Sequence, residues 1–253
     1  MLYREYPPNR ALSAHVDCMW TARVLSVAPG RAHTHRVLPD NCVDILWQDG
    51  GRPAFAVGMM SSAILVASAG PVSTVAVRFK PGAAGAFLAT PLHALTDQRA
   101  DIDLLWGRSD ADRLADALWT TELTDRERIA LIETQLVRRL RQDSPASAGE
   151  TLIRRAVSAI DTSGGGLRID DLAGELGISR QYLAAQFRAR VGLSPKLYAR
   201  ICRFRRATAV LKASPTPDWA RLALECGYFD QSHLIHDFQE FAGNAPERFL
   251  DAA

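Results

Sequence analysis

The chain has 253 residues, 47% of them hydrophobic and 23% charged, with a formal net charge of +2, which matches a soluble globular protein of one large or two ordinary domains. No apolar run approaches the roughly 20 residues needed to span a bilayer, and the opening MLYREYPPNR lacks the apolar core of a signal peptide, so a cytoplasmic protein with no membrane partner is expected. Cys18, Cys42, Cys202 and Cys226 are scattered without CxxC spacing, which fits free thiols in a reducing compartment.

In chain order, residues 1–107 read as β-rich. Short strands are expected at Ala14 to Val24, His33 to Leu38, Cys42 to Trp47, Ala54 to Val57 and Val72 to Phe79, separated by Gly, Pro, Asn and Asp turns. Asp49-Gly50-Gly51 between CVDILW and PAFAVG is the clearest hairpin signal. Pro81 can open a short helix through Leu88. These elements suit a small barrel or sandwich with a helical cap.

Residues 108–142 turn helical, with a short helix at Asp110 to Leu118 and a longer one at Thr124 to Gln142. Thr124 and Glu127 form a capping-box pattern. Ile129, Ile132, Leu136 and Leu140 make one apolar stripe, which serves either to pack the helix on its own domain or to pair with a second copy. DSPASAG, residues 143–149, reads as a linker, and 150–253 as a second domain beginning with a helix at Glu150 to Ile160.

That second domain contains one pattern twice. IDDLAGELGISRQYLAAQFRARVG and WARLALECGYFDQSHLIHDFQEFAG each place a small residue (Ala173, Ala223) four positions before a turn glycine (Gly177, Gly227). A helix cap follows, Ser179 in the first copy and Asp230 one place later in the second. Leu183, Phe187 and Val191, and then Leu234, Phe238 and Phe241, recur at helical spacing. Between the copies, Ser194 to Lys212 reads as a connector helix of about 28 Å at 1.5 Å per residue. Two helix-turn-helix units on a rigid connector point to DNA, with recognition helices about one duplex turn apart. Charge supports this. Residues 168–212 carry ten basic side chains (Arg168, Arg180, Arg188, Arg190, Lys196, Arg200, Arg203, Arg205, Arg206, Lys212) against three acidic ones, whereas residues 213–253 carry two basic and seven acidic.

LAGELGISRQYLAAQF, GLSPKLYARICRFRRATAVL and LALECGYFDQSHLIHDFQEFAGNAPERF together resemble the DNA-binding domain of the AraC/XylS family of transcription regulators. The resemblance covers about two fifths of the chain and implies a DNA interface built from Ser179, Arg180, Gln181, Tyr182, Ala185 and Arg188 in the first unit. It adds Arg203 on the connector and Gln231, Ser232, His233 and His236 in the second unit. Gln181 suits an adenine edge, while Ala184 and Ala185 can only touch a thymine methyl; Gln231 and His236 are the preferred base readers of the second unit. Asp237, beside this face, is expected to repel phosphate.

HRVLPDNCVDILW and VAVRFKPGAAGAFLATPLHAL resemble an N-terminal domain of some AraC-type regulators, with Asn41 where glycine is usual. The resemblance implies a cupin-like barrel with a sensory or dimerising role. The expected fold class is therefore α+β in two domains, a β-rich cupin-like N-terminal barrel with a helical extension and an all-α double helix-turn-helix domain. Trp20, Cys42, Asp44, Trp47 and Arg78 are the candidate effector residues, with Cys42 and Asp44 on one strand face. His33 and His35 alternate on one strand, a weak metal pattern, and no metal or other cofactor is expected. The expected function is a non-enzymatic, sequence-specific transcription regulator. Its expected partners are double-stranded promoter DNA, RNA polymerase, an unidentified small-molecule effector and a second copy in a homodimer. The alternative is a cupin-type metal enzyme, or a metal or thiol sensor, fused to a DNA-binding tail.

Overall fold

The computed structural model describes residues 1–28, 30–88, 90–120, 122–140, 148–213 and 218–251, so residues 143–147 of the expected linker lie outside the described residues. The chain divides into two units. One comprises Met1–His35, Cys42–Gly58 and Leu65–Ala146; the other comprises Arg36–Asn41, Met59–Ile64 and Ser147–Ala253.

The first unit is built on a six-stranded antiparallel sheet. Its strands are β1 (Leu2–Tyr6), β2 (Val16–Val24), β4 (Val43–Gln48), β5 (Phe55–Val57), β7 (Val72–Phe79) and β8 (Arg99–Asp101), in the order β1-β2-β7-β4-β5-β8. The remaining strands, β3 (His33–Val37) and β6 (Ile64–Ser68), form a separate two-stranded sheet. The expected β-rich half is thus present, but as two sheets; β1, β6 and β8 are additional strands that the sequence pattern did not mark. The β4–β5 hairpin turns where expected, with Gly50 and Gly51 at φ +73° and +69°, a region that glycine enters without steric cost. The helix expected at Pro81 to Leu88 is instead a short 3-10 turn at Ala84–Ala86. Gly82, at φ +77°, and Gly85 both disfavour a continuous helix there.

One sheet face carries the core. Ile45, Trp47, Val77, Phe79 and Met19 are fully or almost fully buried, and Trp47 packs its ring against Trp106 at 5.9 Å. Helices α1 (Ile102–Trp106), α2 (Arg108–Trp119) and α3 (Asp125–Leu140) complete this unit. The capping box of α3 is formed: the Thr124 N–H donates to Glu127 Oε2 at 2.7 Å and the Glu127 N–H to Thr124 Oγ1 at 3.3 Å. Ile129, Ile132 and Leu136 are buried where α3 packs on β7 and the 3-10 turn Arg10–Leu12. These three positions of the stripe are thus covered within their own unit, while Leu140 at the helix end is half-buried.

The second unit is helical: α4 (Ala148–Thr162), α5 (Ile169–Glu175), α6 (Arg180–Val191), α7 (Pro195–Ala213), α8 (Trp219–Glu225), α9 (Gln231–Ala242) and α10 (Pro246–Asp251). Helix α7 organises it. Tyr198 on α7 meets Phe187 of α6 edge-on at 5.3 Å, while Phe204, less than two turns on, meets Phe238 and Phe241 of α9 at 5.0 and 5.4 Å. One helix thus supplies a buried aromatic to each helix-turn-helix core. Gly165 shows how closely the chain approaches it. At φ +79°, an added Cβ would lie 2.1 Å from the Ala199 carbonyl oxygen. Asn41 adopts φ +64° and its Nδ2 donates to the Tyr198 carbonyl at 3.2 Å within this unit.

Candidate nucleic-acid interface

Each helix-turn-helix is shaped by the residues that mark it in the sequence. Ala173 and Ala223 are buried at the helix crossings, and Gly177 and Gly227 take φ +68° and +81° in the turns. Ser179 Oγ accepts from the Tyr182 N–H at 3.2 Å, and an Asp230 carboxylate oxygen accepts from the His233 N–H at 2.8 Å. Each cap satisfies an amide that the first helical turn leaves without a partner. Gly192 and Gly243 close α6 and α9 in the left-handed conformation.

With Leu183, Phe187 and Val191 turned into the core, α6 leaves Gln181, Tyr182, Ala185 and Arg188 on its exposed side. Arg180 is also exposed and is paired with Asp170 at 3.0 Å. Burial of Leu234, Phe238 and Phe241 likewise leaves Ser232, His233 and His236 exposed on α9 and Gln231 half-buried at its start. His236 Nε2 lies 3.5 Å from Glu240. The structure therefore gathers the expected base-reading residues on one exposed side of each recognition helix.

The arginines divide differently from the expectation. Arg203 is turned inward: its Nη1 donates to the Gly165 carbonyl at 2.6 Å and its guanidinium lies 5.5 Å from the Tyr228 ring centre. Asp237 does not face phosphate. It is 1% exposed and accepts two N–H bonds from Arg200, at 3.1 and 2.6 Å. Arg200 also bridges Glu240 at 2.5 Å and covers the Phe241 ring. Burial opposes the Arg200 charge, but hydrogen bonds to Glu240 and Asp237 outweigh it and raise its pKa. The same bond from Arg200 holds the Glu240 carboxyl below its ordinary 4.5. Arg200 and Arg203 thus fasten α9 and the α4–α5 turn to the connector. Arg188 on α6 and Lys196, Arg205, Arg206 and Lys212 on α7 are exposed, as is Arg180, and Arg205 donates to the Asp40 carbonyl at 3.1 Å.

The candidate effector residues do not form one site. Trp20 Nε1 donates to Asp44 at 3.0 Å, and Arg78, the cross-strand partner of Asp44, donates to both of its carboxylate oxygens. Trp47 points to the opposite, core face, because it is three positions from Asp44 on β4 and side chains alternate. Cys42 lies one residue before β4 and is buried. Burial pushes the Cys18 and Cys202 thiols up to about 12, which opposes thiolate reactivity. Among the described residues, no three His, Cys, Asp or Glu side chains gather as a metal site; His33 is half-buried and His35 exposed.

Residues 172–252 match the family described as a helix-turn-helix domain. The C-terminal part of the chain is an AraC-type helix-turn-helix domain. Residues 4–101 match a family described as a domain of unknown function (DUF6597). The Msm operon regulatory protein of Streptococcus mutans is 31% identical over 86 residues, which cover 34% of this chain and 31% of that relative. Among solved structures, the chain is similar to ToxT from Vibrio cholerae, with TM-score 0.48, 12% identity, and coverage of 92% of this chain and 97% of that one. It is also similar to the C-terminal domain of AraT from Geobacillus stearothermophilus, with TM-score 0.39, 23% identity, and coverage of 42% and 89%. No helix among the described residues is long and apolar enough to cross a membrane.

Sequence reasoning missed two features of the AraC-type domain. One is the inward use of Arg200 and Arg203. The other is Phe229, which is 84% exposed in the turn before α9. Its only sequence signal is the one-residue shift between the Ser179 and Asp230 caps.

Proposed function

We propose that this protein is a cytoplasmic, non-enzymatic transcription regulator that binds promoter DNA through both helix-turn-helix units. The observation that carries this reading is the pair of capped recognition helices, α6 and α9, each anchored to one 19-residue helix and each with its polar side left exposed. At about 28 Å, that connector is close to one turn of duplex. Gln181 and Gln231 are the direct readers of adenine edges. Arg188 and Arg206 supply attraction to phosphate, the part of affinity that falls as salt rises.

The first unit takes the sensory or dimerising role, with RNA polymerase as a further partner on the promoter. The Trp20, Asp44 and Arg78 cluster supports an anionic effector, which would compete with Asp44 for the Arg78 guanidinium beside an indole ring. Binding of the purified chain to duplexes from upstream of its own and neighbouring genes, measured by gel shift over a salt series, tests the core reading. Salt-sensitive binding that survives competition by random duplex is the expected result. Folded protein that binds none of these duplexes overturns it.

A further inference from the structure

The two helix-turn-helix units are not the same length. Their first helices align at an offset of 50 residues: buried Leu172 and Leu222, buried Ala173 and Ala223, and positive-φ Gly177 and Gly227. Their recognition helices align at 51. Caps Ser179 and Asp230, buried Leu183 and Leu234, buried Phe187 and Phe238, and left-handed Gly192 and Gly243 all correspond at that spacing. One residue has therefore been added between the turn glycine and the cap of the second unit. Tyr228, next to Gly227, is buried, and Asp230 is the cap, so the added residue is Phe229. The core has no place for it, and it stands 84% exposed.

A large apolar ring held in water forgoes the stabilisation that burial would give. Phe229 is also held in place rather than left loose. It is bracketed by a buried tyrosine on one side and a hydrogen-bonded cap on the other. It leads directly into Gln231, Ser232 and His233, and the N-terminal end of a recognition helix is the part that reaches base edges. In the major groove, the apolar feature on offer at a base edge is the thymine 5-methyl. The second unit is locally acidic and supplies little phosphate attraction of its own. An apolar contact gives this end affinity that does not depend on positive charge.

We infer that Phe229 is a specificity residue of the second unit, packing its ring on the 5-methyl group of a thymine in the groove entered by α9. The inference rests on the DNA-binding reading above. It assigns to the second unit a thymine preference adjacent to the base pair read by Gln231, and the first unit has no counterpart to this residue.

The test uses the full chain and duplexes selected by it from a random library. Each thymine of the selected site is replaced singly by deoxyuridine, which removes only the methyl. At one thymine on the α9 side, the replacement weakens wild-type binding about fourfold, the weight of one methyl-sized group withdrawn from water. Phe229→Ala loses a similar factor on the thymine duplex, becomes indifferent to that replacement, and keeps the wild-type affinity for random duplex and the wild-type melting temperature. Wild-type affinity in Phe229→Ala overturns the inference, as does a deoxyuridine sensitivity that the variant retains. Selection that enriches no duplex at all overturns the DNA-binding reading itself, an outcome distinct from both.

Discussion

The Arg200 cluster offers the sharpest separation between a structural and a DNA-contacting role. Arg200→Ala removes both N–H donors from a carboxylate that is 1% exposed, together with the bridge to Glu240 and the cover over Phe241. Breaking a buried pair by deleting one partner costs about 3–5 kcal/mol, because the remaining charge is left uncompensated. The lower end applies here, since the Arg200 side chain keeps 21% of its exposure. A loss of about 3 kcal/mol is a large share of the roughly 5–15 kcal/mol that stabilises an ordinary domain. It corresponds to a fall of about 10 °C or more in melting temperature. Urea unfolding of the full chain, followed by far-UV circular dichroism, measures it. At a temperature where the variant is still folded, its DNA affinity and salt slope should match wild type. A stability loss below about 1 kcal/mol, or a flattened salt slope with unchanged stability, would refute the reasoning and return Arg200 to the phosphate-facing set.

Acid should dissolve the same cluster. The Glu240 pKa is lowered by Arg200, so its contribution is present above the ordinary value of 4.5 and is lost as pH falls through the lower folded-state value. The melting-temperature difference between wild type and Glu240→Gln should accordingly be constant near neutrality and close below pH 4.5; a gap that widens in acid would contradict the assignment. Arg188→Ala, at an exposed site, should weaken all duplexes alike, lower the salt slope by about 1 and leave stability within about 0.5 kcal/mol. Arg203→Ala should do the reverse, lowering the melting temperature while a folded sample keeps its salt slope, because its guanidinium bonds the Gly165 carbonyl. Gln231→Ala should flatten discrimination at one adenine by about 1–3 kcal/mol with little effect on random duplex, as read by competition binding.

The helix-turn-helix pairs were legible in the sequence because their signals are local. A small residue, a turn glycine, a cap three positions before the amide it serves and a helical apolar stripe all lie within about two dozen residues. The connector emerged within a residue at each end for the same reason, as did the hairpin at Gly50-Gly51 and the capping box of α3. The α3 stripe was visible too, but what covers it was not. A stripe packed on its own sheet and a stripe awaiting a second copy have the same periodicity, and only the folded chain shows Ile129, Ile132 and Leu136 buried where α3 packs on β7.

Charge and site membership were decided by tertiary structure. Ten basic residues between 168 and 212 could be counted, yet the partners of Arg200 and Arg203 lie 37 to 40 positions away in sequence, beyond any local pattern. Parity divides the candidate effector set: alternation sends Trp47 to the core while Asp44 meets Trp20 and Arg78. What the sequence by itself determined was the class of device, since capping, turning and stripe formation depend on near neighbours. What only the folded chain decided was which of its arginines, aromatics and acids still face solvent, because burial and ion pairing are set by residues that meet only after the helices and strands have packed.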